Sequence, residues 1–129
     1  MTIEAGLEAS GSFTVADVDT AAALGSGDVP VLATPRLIAW SEAVTVRALG
    51  GHIADDATTV GTRVEFDHVN ATAVGVDVTV DVVLSAVDGR NLHFDIHAWQ
   101  DDSITVGRGT VSRVLVDRQR FLGRLRGAG

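Results

Sequence analysis

The hydrophobic period of the chain changes once, near Thr58, and this change limits the folds that the chain can adopt. Before it, residues 34–49 carry apolar side chains at helical spacing, with Thr34 as the capping residue, Pro35 at the first helical position and two glycines after the end. After it, apolar residues alternate with polar ones, which is typical of half-buried strands. The order predicts one long helix followed by antiparallel strands.

The alternating part of the chain contains four predicted strands that form a meander. They cover residues 58–69, 73–87, 90–100 and 103–116. A shorter strand is predicted earlier, over residues 10–18, and an arginine-rich helix is predicted from about Asp117. These elements indicate the α+β class, with a curved antiparallel sheet wrapped around one long central helix. Small domains of this kind commonly form dimers to complete their burial, so we expect a homodimer.

Composition excludes several classes of protein. With 129 residues and 46% hydrophobic residues, we expect residues 1–129 to form a single domain. The absence of cysteine excludes disulfides, thiolate zinc sites and a cysteine nucleophile. A net charge of −7 argues against nucleic acid as a partner. No apolar run is long enough to span a membrane and the N-terminus does not resemble a signal peptide, so we expect a cytoplasmic protein.

Positive charge is concentrated near the C-terminus. Residues 108–126 hold six of the ten arginines and only one acid, Asp117. Such a segment fits either a small phosphorylated ligand or an ordinary surface helix that ends in arginine.

Two polar residues lie where the pattern predicts apolar ones. At 100° per residue, Glu42 falls between Leu49 and Val46 on the face of the helix that should be buried. His68 shares a strand face with apolar residues, which fits either a core histidine or a catalyst. Because a buried acid without a partner is costly, we expect Glu42 and His68 to meet. Thr34 adds a hydroxyl at the start of the same helix, although capping also explains it.

The spacing of Thr34, Glu42 and His68 resembles that of the hotdog-fold thioesterases of the fluoroacetyl-CoA thioesterase-like family. The resemblance includes the stretches ATPRLIAWSEA, TTVGTRVEFDH and DRQRFLGRL, and it extends from about residue 13 to residue 125. It implies a hotdog fold, acyl-CoA as substrate, no cofactor, and catalytic roles for Thr34, Glu42 and His68. It also implies homodimers with sites at the subunit interface, where Thr34 and Glu42 of one chain work with His68 of the other.

The chemistry of a thioester gives each of these residues a role. Glu42 could attack the carbonyl to form an anhydride, or orient Thr34 or water, and His68 could serve as general base and then as acid toward the coenzyme A sulfur. Gly61, where the family has a glycine near the thioester, would let a backbone amide approach the carbonyl oxygen, but a strand bulge explains it equally well. An acyl-Glu intermediate, an acyl-Thr intermediate and direct hydrolysis all remain open.

The predicted substrate differs from that of the best-known family member. In that member, phenylalanines in the connection before the helix restrict access to the pocket. The corresponding stretch of this chain, LGSGDVPVLA, contains no phenylalanine. We therefore expect a general acyl-CoA thioesterase for short to medium or aromatic acyl groups. The expected pocket walls are Leu32, Leu37 and Val60. The candidates for binding the coenzyme A phosphates are Arg36, Arg113 and Arg118.

Three other interpretations stay open. His93, Asp95 and His97 project from one face of a strand and could be read as a metal site, but neighbours there lie roughly 7 Å apart, so a solvated or dimer surface is favoured and no metal is expected. Hotdog proteins also include enoyl-CoA hydratases and dehydratases. A non-catalytic acyl-CoA-binding protein is the third.

Overall fold

The computed structural model describes residues 3–101 and 104–127, so position 103, where the fourth strand of the meander was predicted to begin, lies outside the described residues. One turn of 3-10 helix at Asp17–Asp19 precedes the first α-helix. The other elements, in chain order, are β1 (Glu8–Thr14), α1 (Ala21–Leu24), α2 (Thr34–Leu49), β2 (Ala57–His68), β3 (Asp77–Asp88), β4 (Asn91–Gln100), β5 (Ile104–Asp117) and α3 (Arg118–Gly127).

The five strands form one antiparallel sheet in the order β1-β3-β4-β5-β2. The predicted meander is confirmed for β3, β4 and β5, but it is wrong for β2, which pairs with β5 rather than with β3. The connection after β2, residues 69–76, is longer than a tight hairpin turn and carries the chain to a different part of the sheet. As a result, β2 is an edge strand.

Helix α2 packs across the sheet and contacts all five strands. Its buried residues are Leu37, Ser41, Val44, Thr45, Ala48 and Leu49. Facing them are the buried alternate residues of β3 and β4, which include Val78, Val80, Val82, Leu84, Leu92, Phe94, Ile96 and Ala98. Each fully buried valine, leucine or phenylalanine contributes roughly 1.5–3 kcal/mol, so this layer fixes α2 against the sheet.

The N-terminal region differs from the prediction in two ways. Strand β1 covers residues 8–14 instead of 10–18. The connection before α2 contains the short helix α1, which is not among the elements predicted from the sequence. Thr20 Oγ1 accepts a hydrogen bond from the amide of Ala23, and Gly25 ends the helix with a φ of 74°. Both signals are visible in the sequence, but four residues are too few to show a helical period.

The C-terminal helix α3 begins at Arg118, where it was predicted. Asp117 Oδ1 accepts a hydrogen bond from the amide of Arg120 and so caps the first turn. None of the residues of α3 is buried. No helix in the described parts of the chain is long and apolar enough to cross a membrane.

Candidate active site

The first turn of α2 leaves the Thr34 side chain free of a structural role. The capping position belongs to Ala33, which makes no side-chain hydrogen bond to the helix, and Thr34 is the first helical residue. The predicted capping role of Thr34 is therefore wrong by one position. Because Thr34 is exposed and its hydroxyl does not bond to the helix backbone, that hydroxyl can contact a residue elsewhere in the fold.

That residue is His68, the last residue of β2. Thr34 Oγ1 lies 2.8 Å from Nδ1 of His68 in the same chain. The amides of Val69 and Asn70 both donate to the carbonyl of Val106, which fixes the backbone just after His68. This contact lies within one chain, whereas the family resemblance implied that Thr34 works with His68 of the other subunit. We refer to the two residues as the Thr34–His68 pair.

Burial controls the protonation of His68. Desolvation lowers the pKa of the His68 imidazole below its ordinary value of 6.5, and a weaker backbone interaction with Asn70 acts in the opposite direction. Its Nε2 atom is buried and has no hydrogen-bond partner among the described residues. The imidazole is therefore neutral at pH 7, which is the state that a general base requires.

The Thr34–His68 pair lies on the wall of a cavity of about 320 Å³. The connection before α2 forms much of the remaining wall and brings no phenylalanine to it. The other lining residues include Ser26, Gly27, Val29, Val31, Leu32 and Asn70. Of the expected wall residues, only Leu32 lines this cavity, because Leu37 is part of the core and Val60 lies on β2, away from the cavity.

Glu42 lies in a second cluster, on the side of α2 that faces the β2 edge of the sheet. Its side chain is 37% exposed, and Oε2 accepts a hydrogen bond from Nη1 of Arg113 at 3.3 Å. The prediction that this face is interior is therefore only partly correct, and Val46, one turn further along, is 51% exposed. The reason is the position of β2, since nothing in the described chain lies beyond an edge strand.

Gly61 is required by its close approach to Glu42. A Cβ atom on Gly61 would lie 2.6 Å from Glu42 Oε2. The pairing of β2 with β5 also shifts just after Gly61, so Thr62 is the extra residue of a β-bulge. The bulge predicted as one explanation of Gly61 is thus confirmed, and it accompanies the close contact with the carboxylate.

Arg113 holds Glu42 in place, whereas the sequence predicted that it binds the coenzyme A phosphates. It is only 7% exposed, and its Nε and Nη2 donate to the hydroxyl and carbonyl of Thr59 at 2.8 and 3.1 Å. Burial lowers the pKa of the guanidinium, and the neighbouring Glu42 carboxylate opposes this. With three of its N–H donors bonded to Thr59 and Glu42 and little of the residue exposed, Arg113 is placed to position Glu42 rather than to reach a phosphate.

The sequence contained a signal for this partnership. Arg113 lies directly opposite Gly61 in the β2–β5 register, and it interrupts the apolar inner face of β5 just as Glu42 interrupts that of α2. Two opposite charges on facing inner surfaces predict an ion pair. We call Glu42, Gly61, Arg113 and Thr59 the Glu42 cluster.

One chain does not bring the three predicted catalytic residues together. Thr34 and Glu42 are eight residues apart on α2, which is about 12 Å along the helix axis. His68 and Gly61 are seven residues apart on β2, which is roughly 23 Å along the strand. The Thr34–His68 pair and the Glu42 cluster are therefore two separate parts of the chain's surface.

The other two expected phosphate ligands occupy different environments. Arg36 pairs with Asp19 at 3.0 Å, and Asp19 in turn accepts a hydrogen bond from the amide of Ala16. This ion pair ties the start of α2 to the 3-10 turn, which is a structural role. Arg118 is exposed at the start of α3, and its backbone amide donates to the carbonyl of Asp56.

The strand face that carries His93, Asp95 and His97 uses its histidines for hydrogen bonds. His93 Nδ1 lies 2.9 Å from Ser112 Oγ, and His97 Nε2 lies 3.0 Å from Thr105 Oγ1. Within residues 3–101 and 104–127 there is no group of three histidine, aspartate or glutamate side chains placed to hold a metal ion.

Comparison with known proteins identifies the family. Residues 15–119 match the family model of the fluoroacetyl-CoA-specific thioesterases. The chain belongs to this family. It is accordingly a thioester hydrolase, and the family and enzyme class predicted from the sequence are confirmed.

Two individual members of the fluoroacetyl-CoA-specific thioesterase family are similar to this chain in sequence or in structure. The fluoroacetyl-CoA thioesterase of Streptantibioticus cattleyicolor is 30% identical over 96 residues, which cover 74% of this chain and 68% of that protein. A solved fluoroacetyl-CoA thioesterase variant in complex with fluoroacetate and CoA is 26% identical, with a TM-score of 0.86 over 92% of this chain and 99% of that one.

Two structures of lower sequence identity share the fold. A thioesterase superfamily member from Thermus thermophilus is 20% identical and has a TM-score of 0.90, over 98% of this chain and 93% of that one. A hot-dog-like protein from Thermanaerovibrio acidaminovorans, also 20% identical, has a TM-score of 0.88 over 96% of this chain and 91% of that one. The predicted hotdog architecture is therefore confirmed.

Proposed function

We propose that the protein hydrolyses acyl-CoA thioesters in a homodimer, at sites where the Thr34–His68 pair of one subunit meets the Glu42 cluster of the other. One observation carries this proposal: the pair is preassembled at 2.8 Å on a cavity wall, while Glu42 of the same chain lies about 12 Å further along α2 and is bonded to Arg113. The named relatives support the substrate class, since the solved ones include complexes with CoA and with acetyl-CoA.

The edge strand β2 supports the dimer. It is twelve residues long, β5 is its one partner among the strands of residues 3–101 and 104–127, and its Val64 is 37% exposed. A long edge strand of this kind invites pairing with another strand. If two copies of β2 pair antiparallel about a two-fold axis, the His68 end of one strand lies beside the Ala57 end of its partner. That arrangement moves the Thr34–His68 pair toward the partner's Gly61 and Glu42.

The contact between Thr34 and His68 supports a covalent route. With the proton of the neutral imidazole on Nε2, Nδ1 accepts the Thr34 hydroxyl proton as Oγ1 attacks the thioester carbon. The C–S bond then breaks, and the imidazolium returns the proton to the coenzyme A sulfur. Water then attacks the acyl-Thr34 ester while Glu42 of the partner subunit takes one of its protons. As the ester C–O bond breaks, Glu42 passes this proton to Thr34 Oγ1, which releases the carboxylic acid and restores the Thr34 hydroxyl.

The geometry of the partner's Glu42 cluster suits this reaction. Gly61 has no side chain to keep the carbonyl oxygen away from the backbone at the Thr62 bulge, where the amide of the extra residue is left out of the regular strand pairing and can donate a hydrogen bond to the oxyanion. Arg113 fixes the carboxylate of Glu42 by charge and by hydrogen bonding. A single-chain site lacks these groups near Thr34, so the reaction requires both subunits.

The cavity beside Thr34 indicates the acyl class. Its volume of about 320 Å³ is larger than an acetyl group needs, and glycine, serine and valine line the connection side of it. We therefore propose short to medium or aromatic acyl groups, without selectivity for fluoroacetyl. The single-domain organisation and the cytoplasmic location expected from the sequence stay predictions.

Thiol release from a panel of acyl-CoAs tests the proposed function. The panel holds short, medium, branched, aromatic and fluoroacetyl esters, and compares the wild type with Glu42→Gln. Glu65→Gln is the matched control, because Glu65 lies on the same edge strand as Gly61 but pairs with Arg63. Turnover that is lost in Glu42→Gln and kept in Glu65→Gln supports the proposal. Absence of turnover on every ester by the wild type would refute it.

A further inference from the structure

A second cavity, of about 300 Å³, lies at the end of the sheet where β5 continues into α3. Three arginines from two separate segments line it. Arg90 comes from the turn between β3 and β4, and Arg120 and Arg124 come from α3. We call these three residues the arginine triad. No element of the proposed reaction uses them.

None of the three arginines of the triad forms an ion pair with a residue that the structure describes, and they outnumber the two carboxylates that line the cavity. The ion pairs found in residues 3–101 and 104–127 belong to Arg36, Arg63 and Arg113. Asp56 and Asp117 also line the cavity, but Asp117 is engaged by the backbone amide of Arg120, and neither lies within 4.0 Å of a triad guanidinium nitrogen. In a protein of net charge −7, three unpaired arginines around one cavity favour an anionic ligand.

The cavity is aligned with the Glu42 cluster along the same pair of strands. Gly61 lies opposite Arg113, and Ala57, which lines the cavity, lies opposite Asp117. Gly61 and Ala57 are four positions apart on β2, which is roughly 13 Å. A thioester held at Gly61 therefore has a basic cavity further along the strand, in the direction that a long, flexible carrier arm could take.

We propose that the arginine triad binds the phosphate groups of coenzyme A, with the pantetheine arm extended along β2 between this cavity and the Glu42 cluster. Guanidinium groups bind phosphate through paired N–H donors, and a cavity shaped by three of them binds more firmly than a single surface arginine. This inference rests on the proposed function. It replaces Arg36, Arg113 and Arg118 as the phosphate ligands.

Kinetics with truncated carriers test the proposal. The same acyl group is presented on coenzyme A, on dephospho-CoA and on pantetheine, to the wild type and to Arg90→Ala and Arg124→Ala. Arg126→Ala is the matched control, because Arg126 is an exposed arginine of α3 that does not line the cavity. We expect each triad variant to raise the KM for acyl-CoA about tenfold, the effect of losing one charge-assisted hydrogen bond, with little change in kcat.

The pantetheine ester makes the result specific. It carries no phosphate, so its KM should be the same in the wild type and in the triad variants. A KM that rises equally for acyl-CoA and acyl-pantetheine overturns the proposal, as does a KM for acyl-CoA that rises no more in Arg124→Ala than in Arg126→Ala. If the triad substitutions raise the KM for acyl-CoA but not the KM for the dephospho-CoA ester, the triad binds the 3′-phosphate. If they raise both KM values equally, the triad binds the diphosphate.

Calorimetric binding of free coenzyme A separates this proposal from the proposed function. If the wild type hydrolyses no ester but binds coenzyme A, and Arg124→Ala weakens that binding while Arg126→Ala does not, the phosphate site is supported and the hydrolase fails. If the wild type hydrolyses acyl-CoA and the triad variants bind coenzyme A as tightly as the wild type does, the hydrolase stands and the phosphate site is refuted.

Discussion

Thr34 Oγ1 and His68 Nδ1 lie 2.8 Å apart, although the two residues are 34 positions apart in the chain. The start of α2 and the end of β2 meet at this point, and the Thr34 hydroxyl does not serve the helix as a cap. The contact therefore joins a hydroxyl to a neutral imidazole on the wall of a cavity. This pair is the structural basis of the predictions that follow.

Removal of the Thr34 hydroxyl should abolish turnover without weakening the fold. Thr34→Val should lower kcat by at least about 10², the range for losing a group that takes part in proton transfer, whereas Thr34→Ser should retain activity. The free energy of unfolding should change by less than about 0.5 kcal/mol, because the residue is exposed. Thiol release and chemical denaturation measure the two quantities. A loss of about 1 kcal/mol, typical of a removed helix cap, would instead restore the capping role.

The covalent route predicts an acyl group on Thr34. Glu42→Gln should accumulate it, because attack by Thr34 and His68 can proceed while the partner's base for deacylation is missing. Rapid quenching followed by peptide mass spectrometry should find the acyl mass on the peptide that contains Thr34, and Thr34→Val should not carry it. An acyl mass on Glu42 in the wild type would show that Glu42 is the nucleophile.

The activity should depend on pH through His68. Since burial lowers its pKa below 6.5, the acid limb of kcat/KM should lie below that pH, with activity increasing as the imidazole loses its proton. Because the pKa of His68 is lower in the folded than in the unfolded protein, protonation favours the unfolded state. The free energy of unfolding should therefore decrease as the pH falls below 6.5. Profiles of kcat/KM and of unfolding free energy measure both. An acid limb above pH 6.5 would contradict this environment for His68.

Arg113 should act as a positioning residue for Glu42. Arg113→Lys keeps a positive charge but loses the planar fork that joins Thr59 to Glu42, so kcat should fall while the KM for acyl-CoA stays close to that of the wild type. Arg113→Met should also lower the free energy of unfolding, by roughly 1–3 kcal/mol, because the Thr59 carbonyl loses its donor. A raised KM with unchanged kcat would return Arg113 to phosphate binding.

The glycine at position 61 should be needed for the placement of Glu42. In Gly61→Ala the new methyl group meets Oε2 of Glu42, which is the flexible end of a side chain, so the protein should fold but displace the carboxylate and lose kcat. Gly123→Ala is the control, because nothing lies within 4 Å of the added Cβ and alanine favours the helix that it occupies. Full activity in Gly61→Ala would show that the close approach has no catalytic importance.

The sequence predicted most elements of the fold because hydrophobic period reports burial directly. The long helix and the four later strands have clear periods, and the structure contains all of them. Period carries no information about which strands pair, so the edge position of β2 was missed. Helix α1 is too short to show a period, although Thr20 and Gly25 mark its ends.

The sequence suggested which residues form the candidate site, but it did not contain their geometry. The spacing of Thr34, Glu42 and His68 supports the family resemblance, and spacing alone contains no distances. The structure pairs Thr34 with His68 of its own chain and pairs Glu42 with Arg113. In the proposed dimer, which subunit supplies each group would depend on how the two copies of β2 pair, and such tertiary and quaternary contacts are not contained in a local pattern.

Mixing two inactive variants tests the shared site most directly. Thr34→Val and Glu42→Gln are each purified, then unfolded and refolded together so that mixed dimers form. If one subunit supplies the Thr34–His68 pair and the other supplies Glu42, each mixed dimer contains one intact site and one doubly altered site. The mixture should then recover about one quarter of the wild-type turnover, since half of the dimers are mixed and each has one of two sites intact. A mixture as inactive as its two components would contradict a site built from both subunits.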